Sequence, residues 1–124
     1  MTDGPAPILW EGDSLSVIRS FSEDAREHLG GDLRRLQNGK TPLDWGPMGS
    51  VAPGVFELRD QDKAFWYRLI YKKIGGAIYV LHCFTKKTNQ TPQKDLNTAR
   101  TRLQNVQRRL TLARRLEKHG PKKI

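Results

Sequence analysis

Residues 55 to 59 and 64 to 73 alternate with a period of two between a more apolar and a less apolar face, which is typical of β-strands. One strand is expected over Val55 to Arg59 and a second over Ala64 to Lys73. Gly75-Gly76 supplies a two-residue hairpin turn, because glycine adopts positive φ easily. Ala77 to Thr85 is apolar on both faces and fits an internal strand covered on each side. The expected faces are Phe56 and Leu58 opposite Val55, Glu57 and Arg59 in the first strand, and Phe65, Tyr67, Leu69 and Tyr71 opposite Trp66, Arg68, Ile70 and Lys72 in the second.

An edge strand and two helices are expected before these strands. Ile8 to Trp10 is a short apolar run that fits the edge of a sheet. Asp13-Ser14 and Ser22 are candidate N-caps, since their side-chain oxygens can accept from free amides of the first helical turn. Asn38-Gly39 supplies the end of the second helix. Its expected buried face is Ala25, Leu29, Leu33 and Leu36.

A long amphipathic helix is expected at the C-terminus. Lys40 to Gly54 reads as an ordered loop, because Trp45 and Met48 need a surface to pack on. The last helix is expected to end at His119-Gly120-Pro121. The prediction is one α+β domain over residues 1–124, with a small antiparallel sheet, two N-terminal helices and a basic C-terminal helix. The apolar stripe of that helix is Leu96, Ala99, Leu103, Val106, Leu110 and Ala113.

The positive charge is concentrated in the last third of the chain. The 124 residues carry 22 Lys and Arg against 13 Asp and Glu, a formal net charge of +9. Residues 1–83 hold 10 basic and 11 acidic residues, whereas residues 84–124 hold 12 basic and 2 acidic residues. Such asymmetry favours binding to a polyanion, since phosphate contacts release condensed counterions. The alternatives are a solvated basic tail or a face for an acidic protein partner.

The sequence argues against several other classes of protein. Its apolar runs are too short to span a bilayer, and its first residues lack the basic and apolar regions of a secretory signal. The single cysteine, Cys83, excludes an internal disulfide framework. These features together predict a cytoplasmic location. No Walker or Rossmann glycine pattern and no Cys/His/carboxylate cluster with ligand spacing is present, so neither a cofactor nor a metal is expected.

Four cations are candidates for one functional surface. Arg59 and Arg68 are expected on the less apolar faces of neighbouring strands, and Lys86-Lys87 leaves the end of the third strand. Such cations can bind a phosphate and stabilise the charge that develops during its cleavage. Alternatively, each is a solvated surface charge, and Arg59 pairs with Asp60 or Asp62.

Histidines and tryptophans add little to this candidate site. His82 lies inside an apolar strand and is expected to be a core residue with a satisfied nitrogen, and Cys83 to be a small buried hydrophobe. Neither His28 nor His119 has a metal-binding neighbour. Trp66 shares a face with Arg68, so it can either stack on a base or anchor the core.

Several segments, in order, resemble one protein family. These are Leu33-Arg-Arg-Leu-Gln-Asn-Gly39, Gly54-Val-Phe-Glu-Leu-Arg59, Tyr67-Arg68-Leu-Ile-Tyr71 and Leu81-His-Cys-Phe-Thr-Lys-Lys87, followed by Thr91-Pro92 and Ala99. From about Ile8 to Leu110 the chain resembles the phage-derived HigB-like branch of the RelE/ParE toxin superfamily. A basic helical extension from about residue 111 lies beyond the resemblance.

The resemblance implies a compact α/β toxin that cleaves mRNA in the ribosomal A site without a metal or cofactor. It also implies a cognate antitoxin, often with a helix-turn-helix domain. In that chemistry the ribose 2′-hydroxyl attacks the adjacent phosphate. Arg68 then looks like the arginine that binds the scissile phosphate, and Lys87, with Lys86, like the group that stabilises or protonates the leaving oxygen. Arg59 and Trp66 are expected to bind RNA, as are the helix arginines Arg100, Arg102, Arg108 and Arg109.

One departure leaves alternatives open. Several ribonucleases of this superfamily place a tyrosine or histidine in the C-terminal segment for proton transfer, whereas here only His119 follows Lys87, so no general base is evident. A lysine in that role would need a pKa far below its usual value of about 10.4. The alternatives are a ParE-like inhibitor of DNA gyrase that is not an enzyme, and a basic nucleic-acid-binding module without toxicity.

Overall fold

The computed structural model describes residues 4–119, with the side chains of residues 4–118. The expected helix end at Gly120-Pro121 lies outside this range. The described chain forms a five-stranded sheet with helices on both faces, which confirms the predicted α+β fold class. In chain order the elements are β1 (Ile8–Trp10), α1 (Ser14–Arg19), α2 (Glu23–Gln37), β2 (Trp45–Pro47), β3 (Val55–Gln61), β4 (Trp66–Ile74), β5 (Ala77–Lys86) and α3 (Gln93–His119).

The strand order across the sheet is β1-β5-β4-β3-β2. β1 pairs with β5 in parallel, and the other neighbours are antiparallel. The predicted edge strand at Ile8 is confirmed, and so is the Gly75-Gly76 turn, whose φ values are 58° and 83°. β2 was missed because Gly46 and Pro47 are poor strand formers, and proline is tolerated only at an edge such as this one.

The α1 and α2 helices cover one face of the sheet. Ser22 caps α2 as predicted, its hydroxyl accepting from the amide of Ala25 at 3.2 Å. The predicted apolar side of α2 is confirmed, since all four of its positions are buried in the core beneath these helices. The strands contribute Leu58, Tyr67, Leu69, Tyr71, Ile78, Val80 and Cys83 to the same core.

The first four turns of α3 cover one end of the opposite face. Ala99, Leu103 and Val106 are buried there, with Leu96 and Leu110 at the margin. Ala113 was predicted on this stripe but is exposed, because α3 has passed the edge of the sheet by that residue. Leu112 and Leu116 are also exposed, at 56% and 63%. Within residues 4–119, no helix combines the length and apolar character needed to cross a bilayer.

A β-bulge in β5 changes which residues share a face. Ile70 pairs with His82 while Tyr71 pairs with Val80, so Leu81 has no partner across the ladder. An extra residue reverses the alternation beyond it. Before the bulge, the odd-numbered residues Tyr79 and Leu81 lie on the sheet face that carries α3. After the bulge, the even-numbered residues His82, Phe84 and Lys86 lie on that same face.

Candidate functional site

Charged side chains occupy the end of the sheet face that α3 leaves uncovered. Arg59 on β3, Arg68 on β4 and Lys86 on β5 lie on this face, and we call these three residues the cation cluster. The strand register places Arg59 opposite Arg68, and Lys86 opposite Trp66. Three of the four predicted cations therefore come together, and they surround the carboxylate of Glu57 on β3.

Glu57 and Arg68 form a buried contact of opposite charges. The Arg68 Nε atom lies 3.2 Å from Glu57 Oε1, and both side chains are only 11–12% exposed. The N–H is not directed at this oxygen, and among the described residues neither atom has a hydrogen-bond partner. Unpaired buried polar atoms are rare in folded proteins. These two atoms are shielded from solvent, so the carboxylate and the guanidinium each keep one hydrogen-bonding position unfilled inside the site.

Burial is the main cause of the pKa shifts in this site. It raises the pKa of Glu57 above 4.5, although Arg68, Arg59 and Lys86 all act in the opposite direction. Burial lowers the pKa of Arg68, and it lowers the pKa of Lys86 with a further contribution from the charge of Arg68. A carboxylate with a raised pKa is a better proton acceptor, and a lysine with a lowered pKa is a better proton donor.

Arg59 is held by the segment that leads into β2. Its Nε donates to Asp44 Oδ1 at 3.1 Å, and its Nη2 donates to the carbonyl of Trp45. The alternative prediction, that Arg59 pairs with Asp60 or Asp62, is therefore wrong. Gly46 makes room for it, since a Cβ there would lie 3.1 Å from Arg59 Nη1.

The carboxylate of Asp32 on α2 fixes this segment. It is 5% exposed and accepts from the amides of Leu43 at 2.9 Å and Asp44 at 3.2 Å. Asp44 in turn binds Arg59. Asp32, which is buried under the sheet face covered by α2, therefore positions a cation on the opposite face. Asp32 is therefore a positioning residue for the cation cluster.

Lys86 is anchored against Trp66 and the following turn. Its Nζ donates to the carbonyl of Asn89 at 2.8 Å and to Thr91 Oγ1 at 3.3 Å. The same ammonium lies 5.7 Å from the centre of the Trp66 ring. An ammonium has three donors, so one is left for a ligand. Trp66 is half-buried and presents an aromatic surface beside Arg68.

Lys87 lies apart from the cation cluster. Alternation beyond the bulge directs it away from the face of Lys86, and its Nζ lies 5.4 Å from the centre of the Phe65 ring. Phe65 belongs to the side of the sheet that α1 and α2 cover. The structure thus separates the two adjacent lysines that the sequence had suggested for one site.

The helix arginines proposed for RNA binding make contacts within the protein. Arg100 donates to the carbonyl of Ser50, and Arg108 to Asn105 on its own helix. Arg102 donates to the Leu81 carbonyl at 3.1 Å and to Asp13 at 2.9 Å, and Arg109 binds Glu11 at 2.9 Å. Arg102 and Arg109 therefore attach α3 to the segment between β1 and α1.

The histidines and the cysteine behave largely as expected. His82 is buried, and its Nε2 lies 2.7 Å from Asp95 Oδ1, which confirms a satisfied core histidine. His28 instead pairs with Asp60 at 3.0 Å, which raises its pKa. Cys83 is buried, and burial raises the pKa of its thiol. Within the described part of the chain, no three His, Cys, Asp or Glu residues are grouped so as to hold a metal.

Glu57 is the candidate that reasoning from the sequence missed. The alternation predicted its face correctly, together with Arg59 and Val55. One signal in the sequence could have pointed to Glu57: it is the single carboxylate on the predicted face that carries Arg59 and, on the next strand, Arg68. Its burial could not be predicted, because it depends on contacts with side chains from neighbouring strands, such as Arg68.

The fold and this site define a small α+β protein with a carboxylate enclosed by cations on an open sheet face. The chain belongs to the phage-derived Gp49-like protein family (DUF891), whose model matches residues 16–104. This range contains Glu57 and the whole cation cluster. The family is generally associated with RelE-like toxins of toxin–antitoxin systems. No curated protein matches the chain.

Proposed function

We propose that the protein is the toxin of a type II toxin–antitoxin system, a HigB-like, metal-independent endoribonuclease that cuts mRNA on the ribosome in the cytoplasm. The observation that carries this proposal is the buried Glu57–Arg68 contact, with one unpaired atom on each side and the cation cluster around it. A carboxylate with a raised pKa beside a guanidinium suits a reaction that takes a proton and builds negative charge on a phosphate.

The proposed chemistry is attack of a ribose 2′-hydroxyl on the adjacent phosphorus. Deprotonated Glu57 accepts the hydroxyl proton as the 2′-oxygen–phosphorus bond forms. Arg68 binds the non-bridging oxygens, whose negative charge increases in the transition state. The bond from phosphorus to the 5′-oxygen breaks, and the leaving oxygen takes a proton from Lys86 or water. The products are a 2′,3′-cyclic phosphate and a 5′-hydroxyl.

The roles differ from those that the resemblance implied. Lys86, and not Lys87, belongs to the cation cluster, so we assign the leaving-group role to Lys86. Arg59 supplies positive charge beside Arg68 from its position on Asp44. Trp66 supports a base next to the cleaved phosphate, since aromatic surfaces stack on unpaired bases. Glu57 takes the role of general base that no tyrosine or histidine fills.

Ribosome dependence would follow from how little RNA-binding surface this site offers. Three of the four helix arginines are engaged with distant parts of the chain, so they add little free charge beside the site. Ordering of the mRNA by the ribosome would then supply the alignment of the 2′-oxygen, which is worth up to about 7–11 kcal/mol. The antitoxin, expected to carry a helix-turn-helix domain, should restore growth when it is co-expressed.

The test is single-turnover cleavage of mRNA on purified translating ribosomes. Glu57→Gln keeps the size of the side chain but cannot accept the proton, so we expect a rate lower by about 10²–10⁴-fold. Arg68→Ala should lower it by about 10²–10³-fold. Lys73→Gln, at an exposed lysine outside the site, is the control. Folded Glu57→Gln protein with near-normal cleavage would exclude this site.

Pulse labelling after induction in a bacterial host separates the proposal from its alternatives. Amino-acid incorporation should fall first, and the Glu57→Gln variant should lack this effect. An earlier loss of DNA synthesis would indicate a gyrase inhibitor instead. No loss of either would indicate a binding module without toxicity.

A further inference from the structure

Two aromatic residues lie where β4 begins, Phe65 just before the strand and Trp66 as its first residue, and each has a lysine over its ring. Trp66 and Phe65 are neighbours in the chain, and their rings lie on opposite sides of the sheet. Lys86 Nζ is 5.7 Å from the Trp66 ring centre, and Lys87 Nζ is 5.4 Å from that of Phe65. The same combination of ring and ammonium therefore occurs on both sides of one sheet end. The Trp66 side belongs to the proposed catalytic site, and the Phe65 side has no function so far.

An open cleft of about 200 Å³ connects the two sides. Its walls include both rings, both lysines and the exposed Lys63. Three lysines and two aromatic residues therefore line the cleft around the end of a single strand, and two of the lysines, Lys63 and Lys87, are exposed. Successive phosphates and bases of a single-stranded nucleic acid require this alternation of cations and rings.

The carboxylate of Asp62 also lines this cleft, where its negative charge would oppose a phosphate. Its hydrogen bonds show that it has a structural role in the turn before β4. Asp62 Oδ1 accepts from the amides of Ala64 and Phe65 at 2.8 Å, and Oδ2 accepts from the Tyr67 hydroxyl at 2.7 Å. These bonds lower the pKa of Asp62, so it stays charged while it shapes the turn. Asp62 thus fixes the backbone that carries Phe65.

The Phe65 ring is a rigid platform. It packs against the core beneath α1 and α2, and its ring centre lies 6.1 Å from that of Tyr67 in an edge-to-face arrangement. A ring held on one side loses little freedom when a base stacks on the other. Lys87 is exposed and can reach a phosphate next to such a base.

We propose that Phe65 and Lys87 form a second nucleotide subsite, which binds the base and phosphate of a nucleotide beside the one that is cleaved. This inference rests on the proposed RNA-cleaving function of the Glu57 site. The RNA strand passes around the end of β4, from Trp66 and Lys86 on one side to Phe65 and Lys87 on the other. Lys87 then contributes to substrate binding and not to the chemical step.

The test uses short 2′-O-methyl oligonucleotides with a fluorescent label, measured by anisotropy on the isolated protein. These probes lack the nucleophile, so cleavage cannot disturb the binding measurement. In a series from two to five nucleotides, affinity should rise in a step once the strand reaches Phe65. Phe65→Leu should remove that step, an effect of about tenfold on the longer probes, and leave the dinucleotide unchanged.

Salt dependence distinguishes the contribution of the ring from that of the lysine. Lys87→Gln should reduce the slope of log affinity against log salt by about 0.7, the value for one phosphate contact on a single strand. Phe65→Leu should leave this slope unchanged, because stacking releases no counterion. Lys73→Gln, at an exposed lysine outside the cleft, should change neither quantity. A length series without a step, or a step that both variants retain, would overturn the subsite.

Failure of the subsite and failure of the proposed function give different results. If the subsite is correct, Lys87→Gln weakens binding of the longer probes and changes cleavage chiefly through the mRNA concentration that gives half-maximal rate, more than through the single-turnover rate at saturation. If Lys87 acts in the chemical step, that rate falls, and the assignment to binding is wrong. If the wild-type protein cleaves no mRNA but retains the length step, the ribonuclease proposal fails while the subsite stands.

Discussion

The two faces of the sheet are built from the same strands but differ in how completely they are covered. Under α1 and α2, inward-facing residues such as Leu58, Leu69 and Val80 form a continuous apolar core. On the other face, Ile70 and Leu81 are apolar under α3, whereas Glu57 and the cation cluster lie beyond it. A buried charge is costly unless it is paired, and the charged residues of this face lie together beyond α3, where Glu57 and Arg68 are in contact. The extent of α3 therefore determines where the site lies.

The covered face should respond most strongly to loss of apolar volume. Leu29 on α2 is fully buried in the core beneath α1 and α2. Leu29→Ala should lower the free energy of unfolding by about 2–5 kcal/mol, through lost burial and the cavity left behind. Urea denaturation followed by circular dichroism measures this. A matched change at the exposed Leu112 should cost far less, and equal costs would contradict the comparison.

At the end of the sheet that α3 leaves uncovered, removing both charges of the Glu57–Arg68 pair should leave the stability unchanged or raise it. Glu57 and Arg68 are both mostly buried without a hydrogen bond to each other. Replacing a buried charge pair by apolar residues is often neutral or stabilising by about 1–4 kcal/mol. The double variant Glu57→Leu/Arg68→Met should therefore unfold at the same or a higher urea concentration while it loses all cleavage. A clear loss of stability would show that this pair holds the fold together.

A smaller effect is expected at Asp32, which joins the two faces. Asp32→Ala leaves the amides of Leu43 and Asp44 without their acceptor, at a cost of about 1–3 kcal/mol. Asp32→Asn retains one acceptor oxygen and should cost less. The same urea titration measures both variants. If both are as stable as the wild type, Asp32 does not fix the segment that holds Arg59.

The smallest effect concerns the pH dependence of stability at Glu57. Because its pKa is raised in the folded state, the folded protein binds a proton more readily than the unfolded chain. The stability contribution of protonated Glu57 is thus present at low pH and is lost as pH rises through the folded-state pKa. Wild type should therefore lose stability relative to Glu57→Gln as the pH rises above the usual glutamate pKa of about 4.3 and through the higher pKa of folded Glu57. The cleavage rate should rise with pH over the same interval, since only the carboxylate accepts a proton.

Residue patterns predicted most of the fold and part of the site. Alternation in β3 and β4 assigned faces correctly, because both strands keep a period of two along their length. It failed in β5, where the unpaired Leu81 reverses the alternation and places Lys86 instead of Lys87 on the face of the site. No local pattern distinguishes a bulge within a run that is apolar on both faces.

Other site features depend on contacts between residues far apart in the chain. The charge of α3 suggested RNA contacts, but Arg102 and Arg109 bind Asp13 and Glu11 near the N-terminus. The position of Arg59 depends on Asp44 and, through it, on Asp32. Such pairings arise from tertiary packing, so their partners cannot be read from spacing in the sequence.

The parallel pairing of β1 with β5 has a consequence for the order of events during synthesis. Ile8 is made early, but its partner Ile78 follows only after most of the sheet. Contacts between such distant residues form late, because the chain must close a long loop before they can compensate for the lost entropy. The site likewise needs Lys86 and the turn through Thr91. A nascent chain that ends before this turn therefore has no complete site, although most of the sheet has already been made.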